Sequence, residues 1–172
     1  MRTLNWNNTG WFEKNFTFTK EQQVVGQLSF SNVWSFNATY SDEHTQLNFA
    51  QKSFWDRDVL VTKHGETIGE INNGVFGEKT LKLVTGERFF MSTSLWEQEV
   101  YWKTEKGETI IQYQQALMSS MKKGSISFKE SLPIDTEALL ISSGLFIRKM
   151  TRRRRMRTMI VMILAITAGN QF

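Results

Sequence analysis

The residues best suited to chemistry in this chain are arginines. Arg152, Arg153, Arg154, Arg155 and Arg157 fall within the stretch TRRRRMR, residues 151–157. A guanidinium group suits phosphate because its planar donors can meet two oxygens at once. With Arg148 and Lys149 these make seven basic residues among the ten from 148 to 157. Taking those seven from the 21 Lys and Arg leaves 14 against 17 Asp and Glu, so a chain of net charge +4 is slightly acidic everywhere else. Such a compact burst differs from the broad basic face of a DNA-binding domain. It also lies between apolar runs, without the interleaved polar residues that read base edges, so nucleic acid fits it least. Anionic phospholipid fits better, at about 1 kcal/mol per cation near the surface. A protein partner, or a solvated connector between two packed helices, are the alternatives.

Other chemistry is sparse. His44 in SDEHT and His64 in TKHGE sit in turn-like sequence, and neither has the i, i+4 partner of a helical zinc site. No metal or cofactor is expected. GVFGEKT, residues 74–80, approaches a phosphate-binding loop, but Glu78 separates Gly77 from Lys79 and strand-like LKLV follows, so a hairpin turn is the reading. Glu97 and Glu99 share a strand face, which a solvated surface explains more simply than acid/base catalysis. Neither a nucleophile elbow nor a dinucleotide fingerprint occurs, so the expectation is a protein that is not an enzyme and has no small-molecule substrate. The absence of cysteine removes disulfides, thiolate metal sites and cysteine nucleophiles. The opening MRTLNWNNTG lacks the apolar core of a signal peptide, so the sequons at Asn7, Asn15 and Asn37 read as chance and the location as cytoplasmic, peripheral at a membrane. Six tryptophans and thirteen phenylalanines could offer a stacking surface, but most follow the apolar parity of strands and read as core.

The elements that must position the arginines are mostly strands. Phe12, Phe16 and Phe18 alternate with polar residues, as do Trp34, Phe36, Ala38 and Tyr40, and period two predicts half-buried antiparallel strands. The pattern returns at Leu47/Phe49, Val59/Val61, Leu81/Leu83, Val100/Trp102, Ile111/Tyr113 and Ile126/Phe128. Turn signals with glycine separate the runs at KHGE, NNG, TGE, EKGE and KKG. After Pro133 the pattern changes to a helix over Asp135–Met150, with Asp135 as N-cap, Glu137 in the first turn and Arg148 and Lys149 in the last. Its interior, Ala138 to Ile147, is uncharged on every face and must be surrounded by protein or lipid. A second apolar helix is predicted over Met156–Ala168. Met159–Gly169 is well short of the roughly twenty residues that cross a bilayer, so a simple single span is not expected.

Short antiparallel strands followed by an all-round apolar helix resemble the tubby-like superfamily, which includes tubby proteins, phospholipid scramblases and LURP-one-related proteins. DVLVTKHGETIGEINNG (58–74) is similar to the family's strand, Gly turn and strand with Ile-Gly-x-Ile, and KTLKLVTGERFF and VYWKTEKGETIIQY to the hairpins beyond it. The resemblance implies a mainly β (α+β) fold, a closed antiparallel barrel of about twelve strands around a hydrophobic C-terminal helix. The expected organisation is a barrel domain over 1–151, with core helix 135–150, then a basic segment and apolar helix over 152–172. Which apolar segment, 138–147 or 159–168, fills the barrel stays open. No calcium loop or phosphoinositide pocket of the family aligns here, so no binding residue is carried over. The functional expectation is a non-enzymatic barrel that associates with anionic phospholipid through Arg152–Arg157. The alternatives are a module whose C-terminal helix makes a homodimer or binds a protein partner, and a barrel holding a small hydrophobic ligand, which needs an empty interior.

Overall fold

The computed structural model describes residues 2–9, 14–32, 36–53, 57–74, 78–93, 99–117, 122–129 and 132–169, with side chains throughout except at positions 9, 157, 160–161 and 163–169. Twelve strands precede one helix: β1 (Arg2–Thr9), β2 (Asn15–Lys20), β3 (Gln23–Phe30), β4 (Ala38–Asp42), β5 (Gln46–Gln51), β6 (Val59–Lys63), β7 (Glu66–Asn73), β8 (Lys79–Leu83), β9 (Arg88–Thr93), β10 (Glu99–Thr104), β11 (Thr109–Gln115), β12 (Lys123–Phe128) and α1 (Ile134–Gly169). Each strand pairs antiparallel with its neighbours in sequence, and β1 closes on β12 through Leu4 opposite Ile126. Closure leaves no unpaired sheet edge.

The pleat sends alternate residues inward, so Phe16 and Phe18, Leu28 and Phe30, Val59 and Val61, and Val100 and Trp102 are all buried. The wall they form is filled by α1, whose residues from Ala138 to Ile147 are buried on every side. Phe146 stacks on Phe30 and Phe49, with ring centroids 5.8 and 4.8 Å away. The buried hydroxyls of Ser142 and Ser143 donate back to the Ala138 and Leu140 carbonyls at 2.6 and 3.2 Å, which removes the cost of burying them. At Gly144 the helix touches β11 so closely that an added Cβ would lie 2.2 Å from Cζ of Tyr113. The Tyr113 hydroxyl uses that approach to donate to the carbonyls of Leu140 and Ile141. Burial drives its pKa well above the ordinary phenol value. Segment 138–147 is therefore the one that fills the barrel.

Several expectations are corrected. The helix does not stop at Met150: α1 runs unbroken through the arginines to Gly169, so a separate second helix is not seen. No Gly or Pro interrupts residues 145–168, and Arg, Met and Leu are good helix formers, so nothing ends it. Asp135 is not the N-cap. The first intrahelical bond runs from Glu137 N to Pro133 O at 2.8 Å, and the Asp135 carboxylate instead accepts from Lys63 Nζ at 2.7 Å and Thr45 Oγ1 at 3.1 Å. Gly65, Gly86 and Gly107 have the expected positive φ. KKG is not a turn, however: Gly124 lies within β12, where a Cβ would sit 2.3 Å from both the Trp6 ring and the Gln114 carbonyl oxygen. Phe36, expected in one strand with Ala38 and Tyr40, precedes β4, which begins at Ala38. β1 and β3 were missing from the sequence reading. Phe12, Trp34 and Glu97 lie outside the described residues.

Candidate functional site

Even-numbered strands all run toward one end of the barrel and odd-numbered strands away from it. The ends are chemically unlike. At the first, where α1 enters, the hairpins carry Glu21, Glu43, Glu66, Glu87, Glu105 and Glu108 interspersed with Lys20, Lys63, Arg88 and Lys106, and Arg88 and Lys129 pair with Glu105 and Glu108 at 4.0 and 3.7 Å. There α1 is fastened by Lys63 to Asp135 and by Arg2 to Glu137. The Lys63 ammonium holds the Asp135 carboxyl below the usual carboxylate range.

At the second end, the mouth, α1 emerges with its arginines. Consecutive helical residues are turned 100° apart, so the four that adjoin cannot share one face. Arg153 folds back onto the wall, 2% exposed, its guanidinium 4.4 Å from the centre of the Phe30 ring and 3.5 Å from the Asn32 carbonyl oxygen. Arg154 is half-buried, 5.8 Å from the Phe36 ring, and donates to the Arg57 carbonyl at 3.3 Å. Desolvation, then the nearby Arg57 charge, pull its pKa below the ordinary arginine value, with Asp58 opposing. Arg152 is partly exposed and Arg155 is exposed; the Arg157 side chain lies outside the described residues. Arg153 and Arg154 thus brace the helix on the rim, while Arg155 and part of Arg152 face outward.

The rim supplies cations that sequence reasoning did not assign to the site. Lys52 follows β5, Arg57 precedes β6, and Lys79 and Lys123 open β8 and β12, all at the mouth. Lys79 Nζ donates to Thr151 Oγ1 at 2.8 Å, and Arg148 donates to Gln115 Oε1 at 2.7 Å, so β8 and β11 grip the emerging helix. Among the described residues acids stand with them but are fewer: Asp58 accepts from Asn73 N at 2.8 Å, Glu99 from the Tyr101 hydroxyl at 2.5 Å, Glu70 pairs with Lys52 at 3.4 Å, and Glu78 is exposed. The only sequence signal for these lysines was their place at alternate ends of strands, which becomes legible once the strand order is known.

Two spaces adjoin the mouth. One, about 10 Å³, lies where Phe146 and Met150 meet Val59 and Ile71, room for about one water. The other is an open concavity of about 650 Å³ between β1, β11 and β12, lined by Trp6, Gln114, Gln115, Leu117 and Lys123, with Gly124 at its floor. Trp6 and Trp102 are core residues, 1% and 0% exposed, whereas Trp11, Trp34, Trp55 and Trp96 lie outside the described residues. His44 and His64 are in turns, and among the described residues no three His, Asp or Glu side chains converge as a metal site would require. Among the described residues no helix is long and apolar enough to cross a membrane.

No protein-family model, no curated protein and no solved structure matches the chain.

Proposed function

We propose that this chain is a non-enzymatic, cytoplasmic barrel protein of the tubby-like kind that associates peripherally with anionic phospholipid surfaces through the mouth. What supports the family reading is the twelve-strand antiparallel barrel closed around an apolar helix. The observation that carries the lipid reading is the convergence of the outward arginines of α1 with rim cations from β5, β6, β8 and β12 at one end of a barrel whose other end carries acids and bases interspersed. Each cation held near an anionic surface contributes about 1 kcal/mol, so four or five together give usable affinity. In this reading Arg152, Arg155 and Arg157 meet headgroup phosphates directly, while Arg153 and Arg154 hold the helix in place and add to the local potential.

A second reading is favoured by the exposed methionines of α1. Met156, Met159 and Met162 are 42%, 61% and 58% exposed, and such a face suits a helix of a second copy or a protein partner. Vesicle flotation separates the two. Flotation with anionic but not zwitterionic vesicles, fading at high salt, is the expected outcome. A protein that floats with neither, or equally with both, refutes the electrostatic reading.

A further inference from the structure

We propose that the barrel docks end-on, with the emergent part of α1 lying in a single anionic leaflet and the mouth cations at the level of its phosphates. The inference rests on the lipid reading above and adds depth and orientation to it. Its first ground is continuity. α1 is one helix of 36 residues, and its first half is locked in the barrel by buried packing from Ala138 to Met150. The 19 residues after Met150 therefore leave the mouth as an extension of a fixed post, about 28 Å long at the helical rise.

The second ground is the order of chemistry along that post. Arg152 to Arg155 come first, beside Lys79 and Arg57; Met156, Met159 and Met162 then stand exposed. From Met159 to Gly169 the sequence carries no charge. That segment is about 16 Å long, close to half of the roughly 30 Å hydrocarbon thickness, so with the arginines at the phosphates it reaches toward the bilayer midplane. A basic base beneath an apolar segment matches the order of headgroup and acyl chain.

Charge also weighs lipid against a second copy. Two copies pairing in parallel along this segment would bring their arginine turns together, a like-charge contact, whereas anionic headgroups neutralise it. Among the described residues the opposite end mixes acids with bases, and Glu105 and Glu108 are paired with Arg88 and Lys129, so the cation excess that an anionic surface attracts lies at the mouth, which favours the upright orientation.

Because the chain has no cysteine, single-site labelling is clean. Met162→Cys on α1 and Glu105→Cys on the opposite hairpin would each carry an environment-sensitive NBD probe. Vesicles would be phosphatidylcholine alone or with phosphatidylserine, and flotation would be scored on the same samples. Expected is binding to the anionic vesicles, with a blue shift at 162 that deep acyl-chain spin labels quench, and an unshifted probe at 105. Anionic binding with the 162 probe still in water, or with the 105 probe shifted, overturns end-on insertion and leaves the lipid reading standing. Absence of binding refutes the lipid reading and this inference with it. A probe at 162 shielded without vesicles, with a dimer mass in sedimentation, assigns the segment to a second copy and overturns the inference.

Discussion

Replacing Gly144 by alanine sets two rules against each other. In an isolated helix, Gly→Ala stabilises by about 1 kcal/mol because glycine loses more backbone entropy. In this barrel the new Cβ would sit 2.2, 2.4 and 2.6 Å from Cζ, Oη and Cε2 of Tyr113, which is itself fully buried. Tyr113 is confined among the surrounding side chains, with Trp6 at 6.3 Å between ring centroids, so either the ring or the helix must shift. Overpacking of this kind costs about 1–3 kcal/mol. Displacing the hydroxyl from the Leu140 and Ile141 carbonyls adds about 1–3 kcal/mol for a buried group left without a partner. Set against the helix-propensity gain, the net loss is about 1–5 kcal/mol. At this chain length that lowers Tm by roughly 3–15 °C. Thermal melts followed by far-UV circular dichroism would measure it, with urea unfolding as a second probe. The cycle closes with Tyr113→Leu, which removes the ring: the Gly144→Ala penalty should shrink by at least about 1 kcal/mol in that background. A Gly144→Ala protein that melts at or above the parent temperature, or a cycle that is additive, would refute the claim that this contact sets the seating of the helix.

The arginines should separate by role. Arg153→Ala loses its contact with Phe30 and lowers stability by about 1–2 kcal/mol, whereas Arg155→Ala leaves the melt within about 0.5 kcal/mol and weakens anionic vesicle binding; melting and flotation of both variants check this. Asp135→Asn removes an ion pair with a half-exposed carboxylate and should cost about 0.5–1 kcal/mol at neutral pH by urea unfolding. Since its folded pKa is lowered, the stabilisation is present above the unfolded value of about 4 and is lost as pH falls through the folded one, so the gap between parent and variant should close in acid. All three tyrosines have raised pKa values, Tyr40 and Tyr113 chiefly by burial and Tyr101 chiefly by its bond to Glu99. Their contribution is complete below about pH 10 and is lost as pH rises through the folded values, so ultraviolet titration should find little phenolate from the buried Tyr40 and Tyr113 near pH 10 and a rise in theirs that coincides with unfolding, whereas the partly exposed Tyr101 ionises in the folded barrel.

Alternation and turn chemistry made most of the wall legible in the sequence, because a strand's inward parity is a local property. Phe16 and Phe18 or Val59 and Val61 needed no partner to declare their faces. β1 escaped notice although Leu4 and Trp6 alternate with Thr3 and Asn5, since its short apolar set is diluted by asparagine. The apolar, uncharged interior of α1 announced a surrounded helix, and nothing local could say whether protein or lipid surrounds it. Gly124 shows the limit of local rules: its sequence reads as a turn, and its place in β12 follows from the Trp6 ring that lies across it.

The sequence by itself determined most of the strands, the apolar helix interior and the arginine burst, because periodicity, propensity and charge are written in neighbouring residues. Tertiary structure alone decided that Asp135 serves Lys63 rather than its own helix end, and that Arg153 is wall while Arg155 is surface. It also decided that Lys52, Arg57, Lys79 and Lys123 share the mouth with α1. The reason is that barrel closure sets strand direction and register across more than a hundred residues of separation, and burial of a side chain depends on which distant wall it meets.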